Sequence, residues 1–136
     1  MEPIPSSRRS SGLAAWRRTA TLGAAAVWLH QGLWCKVLGG DRSHRDVLGS
    51  VPGLTGNRAD VAARGLGLAE TGLALLVATR GNRRWVAGLQ TALVAAFNAG
   101  GLALGREHIE HPGRLLARNG AFLALIWSSV DDRHGR

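Results

Sequence analysis

Four apolar runs, separated by short stretches rich in Arg, Gly, Pro and Asp, divide the chain: Thr19 to Leu38, Val61 to Thr79, Trp85 to Leu104 and Leu115 to Val130. The first three hold 19 to 20 residues. At about 1.5 Å of rise per residue, a helix of that length reaches roughly 30 Å, the thickness of a bilayer's hydrocarbon core. The fourth holds 16, so flanking side chains or local thinning must help it across. A long soluble helix keeps a polar stripe along its length, whereas ALVAAFNAGGLAL offers only Asn98 and GLALLVAT only Thr79. The pattern predicts an all-α fold: four transmembrane helices over residues 19–130, in an antiparallel up-down-up-down bundle. Residues 1–18 then form a basic flexible tail and residues 131–136 a C-terminal tail. A bundle of long soluble helices is the alternative, because Ala and Gly keep each run only moderately apolar.

The connections refine this picture. Short ones, Arg80 to Arg84 and Gly105 to Arg114, make consecutive helices antiparallel neighbours. The longer one from Gly39 to Asp60 contains HRDVLGSVPGL and predicts a short interfacial helix or lid. Helices in lipid approach through small residues. Gly101 and Gly105, with Asn98 on the same face, supply one such surface, and Gly65, Ala69 and Gly72 a second.

Charge adds an orientation. The 136 residues carry 17 basic and 9 acidic side chains, a net +8, and all the basic ones except Lys36 are Arg. Such a balance suits nucleic acid or anionic lipid, but its distribution says more. Arg8, Arg9, Arg17, Arg18, Arg80, Arg83, Arg84, Arg133 and Arg136 fall on one side of the four runs; the other side's Arg42, Arg45, Arg58, Arg106 and Arg114 are nearly neutralised by acids. The positive-inside rule then places both termini in the cytoplasm of a multi-pass protein of the plasma membrane. Trp16, Trp85 and Trp127 lie near the inner interface and Trp34 near the outer one, while Trp28 falls mid-span and reads as packing. The N-terminal SSRRSSGLAAWRR has no apolar stretch directly after its first arginine pair, and no cleavage site closes the first run, so that run is expected to stay as an uncleaved helix. The single Cys35 can form no internal disulfide.

Polar side chains inside the runs are the candidate chemistry. With the topology above, His30, Glu70, Asn98 and Asn119 fall about 12, 14, 9 and 6 Å below the outer end. Lys36, Arg64 and Arg118 lie towards the mouth, Glu107 and His108 at the rim, and the inner half has only Gln90 and small hydroxyls. A charge facing lipid costs about 2.5–3.5 kcal/mol even on lenient scales. The asymmetry therefore predicts an outward-opening polar pocket formed by Gln31, Gly32, Lys36, Arg64, Glu70, Asn98 and Asn119. Glu70 must either pair with Lys36 or Arg64 or stay protonated. It then either fixes helix register as a buried pair or handles a proton or anchors a ligand. On a helical wheel, Gln31, Gly32, Cys35 and Lys36 share an arc of about 140°, with His30 and Trp34 on its flank.

Several motifs lead elsewhere. His30 as a haem ligand would need a second axial residue at equal depth, and His108 is too near the rim. REHIEHPGR spaces His108 and His111 by three, but it is not the H-E-x-x-H zinc motif, and Pro112 and Gly113 make it a helix end and a turn. No metal is assigned. No nucleophile elbow, phosphate loop, dinucleotide fingerprint or Cys-x-x-Cys pair occurs, so no catalytic residue is assigned either.

VWLHQGLWCKVLGG, GLAETGLALLVA and EHPGRLLARNGAFLALI, in that order, resemble the DoxX-like family of small four-helix membrane proteins, over about Val27 to Ile126. The family's Gly-x-x-x-Lys, Gly-x-x-Glu and His-Pro-to-Asn features fall on Gly32 and Lys36, on Glu70, and on His111, Pro112 and Asn119. His30 departs from the pattern, which commonly has an aromatic there. The resemblance implies a membrane protein linked to redox chemistry, with quinone as the cofactor it brings into view. It implies an accessory subunit more than an enzyme. The expected partners are the bilayer, a membrane or peripheral oxidoreductase subunit and a second copy of the chain, and no nucleic acid. Two other readings stand beside it: a small transporter or lipid-handling protein using the same pocket, and a soluble basic bundle that binds nucleic acid.

Overall fold

The computed structural model describes residues 6–130, and every regular element among them is helical. Helix α1 (Ser6–Leu29) runs directly into a π-helical stretch (His30–Val37); the short α2 (Ser43–Gly49) follows, then α3 (Asn57–Arg80), α4 (Arg84–Leu104), a 3-10 turn (Arg106–His108) and α5 (Pro112–Ser128). Helix α3 stops at Gly81, whose φ of +72° suits a residue without Cβ and whose N–H donates to the Val77 carbonyl. Pro112, with no N–H to leave unsatisfied, opens α5.

Helix α1 begins well before the first apolar run, so residues 6–18, expected as a flexible tail, are helical. Good helix formers such as Ala14, Ala15, Arg17 and Arg18 and the absence of Pro after residue 5 account for this. The rest of that tail, and the expected C-terminal tail 131–136, lie outside the described residues.

The long helices pack antiparallel. Gly32 meets Glu70 while Gly67 meets Lys36 and Val37, which fixes opposite directions for α1 and α3. Trp28 stacks edge-on against Phe122 of α5, and Asn98 of α4 meets Asn119 of α5. Ala25, Trp28, Leu73, Ala74, Val77, Val86 and Val94 form one apolar cluster, and Ala24, Ala87, Ile126 and Val130 another.

The small-residue faces differ from expectation. Helix α3 packs through Ala59, Ala63, Gly67, Ala74 and Val77, while Gly65, Ala69 and Gly72 face outwards. Gly and Ala occur all round α3, and the face chosen is the one that also buries Glu70. Gly101 and Gly105 receive Val47 of α2 rather than another long helix; a Cβ on Gly105 would lie 2.8 Å from that valine's side chain. The connection from Gly39 to Asp60 thus holds the short helix its sequence predicts, lying across one end of the bundle, with Arg45 tied to Asp60 at 3.2 Å.

Among the described residues two helices, α3 and α4, are long and apolar enough to cross a membrane. Their outer surfaces expose Val61, Leu68, Leu75, Leu89 and Leu104. Apolar surface of that kind suits lipid better than water.

Candidate functional site

A buried ion pair sits where α1 loosens into the π-helical turn. Gly32 and Gly67 bring two backbones into contact: a Cβ on Gly32 would lie 2.5 Å from the Gly67 carbonyl oxygen, and one on Gly67 would lie 2.6 Å from that of Gly32. Beside this contact the Lys36 ammonium donates to both carboxylate oxygens of Glu70, at 2.9 Å to Oε1 and 2.7 Å to Oε2. Lys36 is 4% and Glu70 1% exposed. The ammonium also lies 3.5 Å from the Gln31 carbonyl and 5.7 Å from the centre of the Phe97 ring. Two charges that would be costly apart thus cancel in the interior. π-helical turns recur at functional sites because they re-aim side chains without ending the helix. This one turns Gly32, Cys35 and Lys36 inwards.

The other candidates divide around this pair. Arg64 is exposed: six residues from Glu70 on α3, it lies about 240° further round the helix, on another side. Gln31 is half-buried and contributes its backbone carbonyl. Asn119 donates to Asn98 at 2.7 Å, a separate half-buried link between α5 and α4. His30 and Trp34 are exposed, as their place on the wheel predicts. His111 is exposed just before α5, and Pro112 fills that helix's first turn. Among the described residues no three His, Cys, Asp or Glu side chains gather closely enough to hold a metal ion.

Helix α2 adds a residue with no motif around it. The Nδ1 atom of His44 is buried without a hydrogen-bond partner, 3.7 Å from the Asp41 carboxylate. Burial, and then the positive charge of Lys36, push the His44 pKa below its ordinary value, against the pull of Asp41. Asp41 is itself held below the usual carboxylate range, chiefly by the hydroxyl and N–H of Ser43, at 2.7 and 2.9 Å.

A second polar cluster occupies the opposite end of the interior. Trp28 Nε1 donates to Gln90 Oε1 at 2.9 Å, and Gln90 Nε2 donates to Asn82 Oδ1 at 3.0 Å. Asn82 Nδ2 then donates to the Ile126 carbonyl and the Ser129 hydroxyl at 2.6 and 2.7 Å. The sequence marks Gln90 and small hydroxyls, Ser129 among them, as polar at that depth. Asn82 stands in a turn between Gly81 and Arg83, where an asparagine ordinarily faces water, so nothing in its surroundings signals burial.

A cleft of about 620 Å³ opens on the rim between α2, α3 and the 3-10 turn, lined by Arg45, Asp46, Ser50, Asp60, Glu107 and His108 among others. None of Gln31, Lys36, Glu70, Asn98 or Asn119 lines it.

A family model described as the DoxX-like family matches residues 25–127, about three quarters of the chain. The matched span includes Gly32, Lys36, Glu70, Asn98, His111, Pro112 and Asn119. No curated protein and no solved structure matches the chain.

Proposed function

The chain belongs to the DoxX-like family, and from that premise we propose that it is a four-span plasma-membrane protein with both termini cytoplasmic, serving as an accessory subunit of a quinone-linked oxidoreductase system. The observation that carries this reading is the buried Lys36–Glu70 pair. A lysine and a glutamate at the interior of an apolar bundle mark polar work in the membrane, because packing alone is served as well by apolar residues. In this reading the pair anchors the polar head of a small ligand such as a quinone, while Asn98 and Asn119 supply amide hydrogen bonds from α4 and α5. Gly32 permits the close approach, Gln31 lends its carbonyl, Arg64 lies exposed on α3 and the His111–Pro112 turn sets the start of α5. No residue is assigned catalysis. Exposed Leu68, Leu75 and Leu89 support the lipid setting.

Purification in mild detergent followed by mass spectrometry of co-purifying lipids, quinones and proteins tests it. A quinone or an oxidoreductase subunit recovered with the wild type and lost with Glu70→Gln is the expected result. Reproducible absence of both sinks the redox content and leaves family membership intact.

A further inference from the structure

Helix α2 has two faces. By helical spacing His44, Val47 and Leu48 share an arc of about 100°, and Arg45, Asp46, Gly49 and Ser50 share another of about 140°. The first arc faces the bundle: Val47 meets Gly101 and Gly105 at the end of α4, and His44 lies within reach of the charges of Lys36 and Arg118. The second lines the rim cleft, together with residues of α3 and of the 3-10 turn. Helix α2 therefore stands between the cleft and the Lys36–Glu70 end.

Its attachment is light. None of its residues is fully buried. Val47 rests in the notch of Gly101 and Gly105, and Arg45 pairs with Asp60 through side chains that are 30% and 43% exposed, a setting in which an ion pair holds weakly. His44 works against closure, because its buried Nδ1 has no hydrogen-bond partner here and meets water when α2 lifts. Gly39 before α2 and Gly53 after it take φ of +73° and +87°. Free of a Cβ, both can change conformation at little cost and serve as pivots. The cleft of about 620 Å³ gives the helix room to move.

We propose that α2 is a lid that swings into the rim cleft and so opens the Lys36–Glu70 site to small polar molecules from the water at that end. The proposal rests on the reading of that pair as a ligand site, and the two fail separately. Absence of a co-purifying quinone sinks the ligand and leaves the motion of α2 standing; a lid that does not move leaves the pair as a site filled by another route.

The single cysteine is a native reporter. Cys35 is 6% exposed, turns inwards beside Lys36, and its carbonyl accepts from the Asp41 N–H at 3.4 Å, where the chain leaves for α2. The test is the rate at which iodoacetate, a charged reagent that stays in water, alkylates Cys35 in the full-length protein in mild detergent, followed by intact mass. Arg45→Gln removes the ion pair and is expected to raise the rate about two- to fivefold. Gly105→Ala places a Cβ 2.8 Å from the Val47 side chain and is expected to raise it about tenfold or more. Val47→Cys with Gly105→Cys brings two Cβ atoms to 3.1 Å, close to the spacing of about 3.5–4.5 Å in a disulfide. Once oxidised, this variant locks α2 down and is expected to alkylate Cys35 more slowly than the wild type. Unchanged helix content by circular dichroism assures that the rates report a local motion. Equal rates in the wild type and Arg45→Gln, or a locked variant that reacts as fast as the wild type, overturn the proposal.

Discussion

The two buried polar clusters meet the same low-dielectric interior with different chemistry. At the α2 end, two full charges, Lys36 and Glu70, are compatible with the interior only together. At the other end, Trp28, Gln90, Asn82 and Ser129 are neutral, and each hydrogen bond in their chain satisfies one donor and one acceptor. A neutral network loses stability bond by bond, whereas an ion pair loses it all at once when one partner goes. The first arrangement suits a joint that ties α1, α4 and α5 together. The second suits a site whose state can be changed by whatever approaches one of its charges.

The largest effect expected from this contrast is that of Glu70→Ala. It leaves the Lys36 ammonium buried without a counter-charge, a loss of about 3–5 kcal/mol. Thermal unfolding in mild detergent measures it. The double variant Lys36→Met with Glu70→Leu is expected to regain most of that loss, because apolar residues of similar size replace the whole pair. A double variant no more stable than Glu70→Ala would show that the charges are needed for more than each other.

Next comes Gln90→Leu. It strands the Trp28 N–H and the Asn82 carbonyl oxygen, each at a cost of about 1–3 kcal/mol. Equilibrium unfolding of this variant beside Glu70→Ala compares the two ends directly, and a loss as large as that of Glu70→Ala would remove the distinction between them. Gly32→Ala follows, at about 1–3 kcal/mol, since its Cβ would collide with backbone that cannot move aside. Gly65→Ala, with nothing within 4 Å, is the control and is expected to hold or slightly raise the melting temperature, because Ala is the better helix former.

How far the sequence foretold these features depends on whether a residue was out of place in its run. Lys36 and Glu70 stood out because charges inside apolar runs have few tolerable states, and pairing is one of them. The side of Gly32 and Lys36 followed from helical spacing, which the π-helical turn shifts without reversing. The packing face of α3 did not follow: with Gly and Ala on every side, size carries no direction, and only the position of Glu70 marks the buried face. Asn82 and His44 were hidden for another reason. They lie in turns or connections, where polar residues ordinarily meet water, and only the approach of distant segments buries them. The polarity of residues 6–18 suggests a tail, whereas their local helix propensity favours the helix that forms.

The smallest effect separates the two ends by pH. His44, on the helix that covers the Lys36–Glu70 end, has its pKa pushed down by burial and by Lys36. The unfolded chain therefore takes up this proton first as pH falls, and the stability that neutral His44 contributes is complete above its ordinary value of about 6.5. It is lost as the pH drops through and below that value. Asp41, held below its ordinary range, adds a further loss only at more acid pH, near and below about 4. The Trp28–Gln90–Asn82 chain contains no titratable group, so it contributes no slope. Melting temperatures measured from pH 8 to pH 5 are thus expected to decline in the wild type and in Gln90→Leu alike, in parallel, and to decline less in His44→Gln. A His44→Gln profile as steep as the wild type would place the titrating group elsewhere and leave α2 a passive cover.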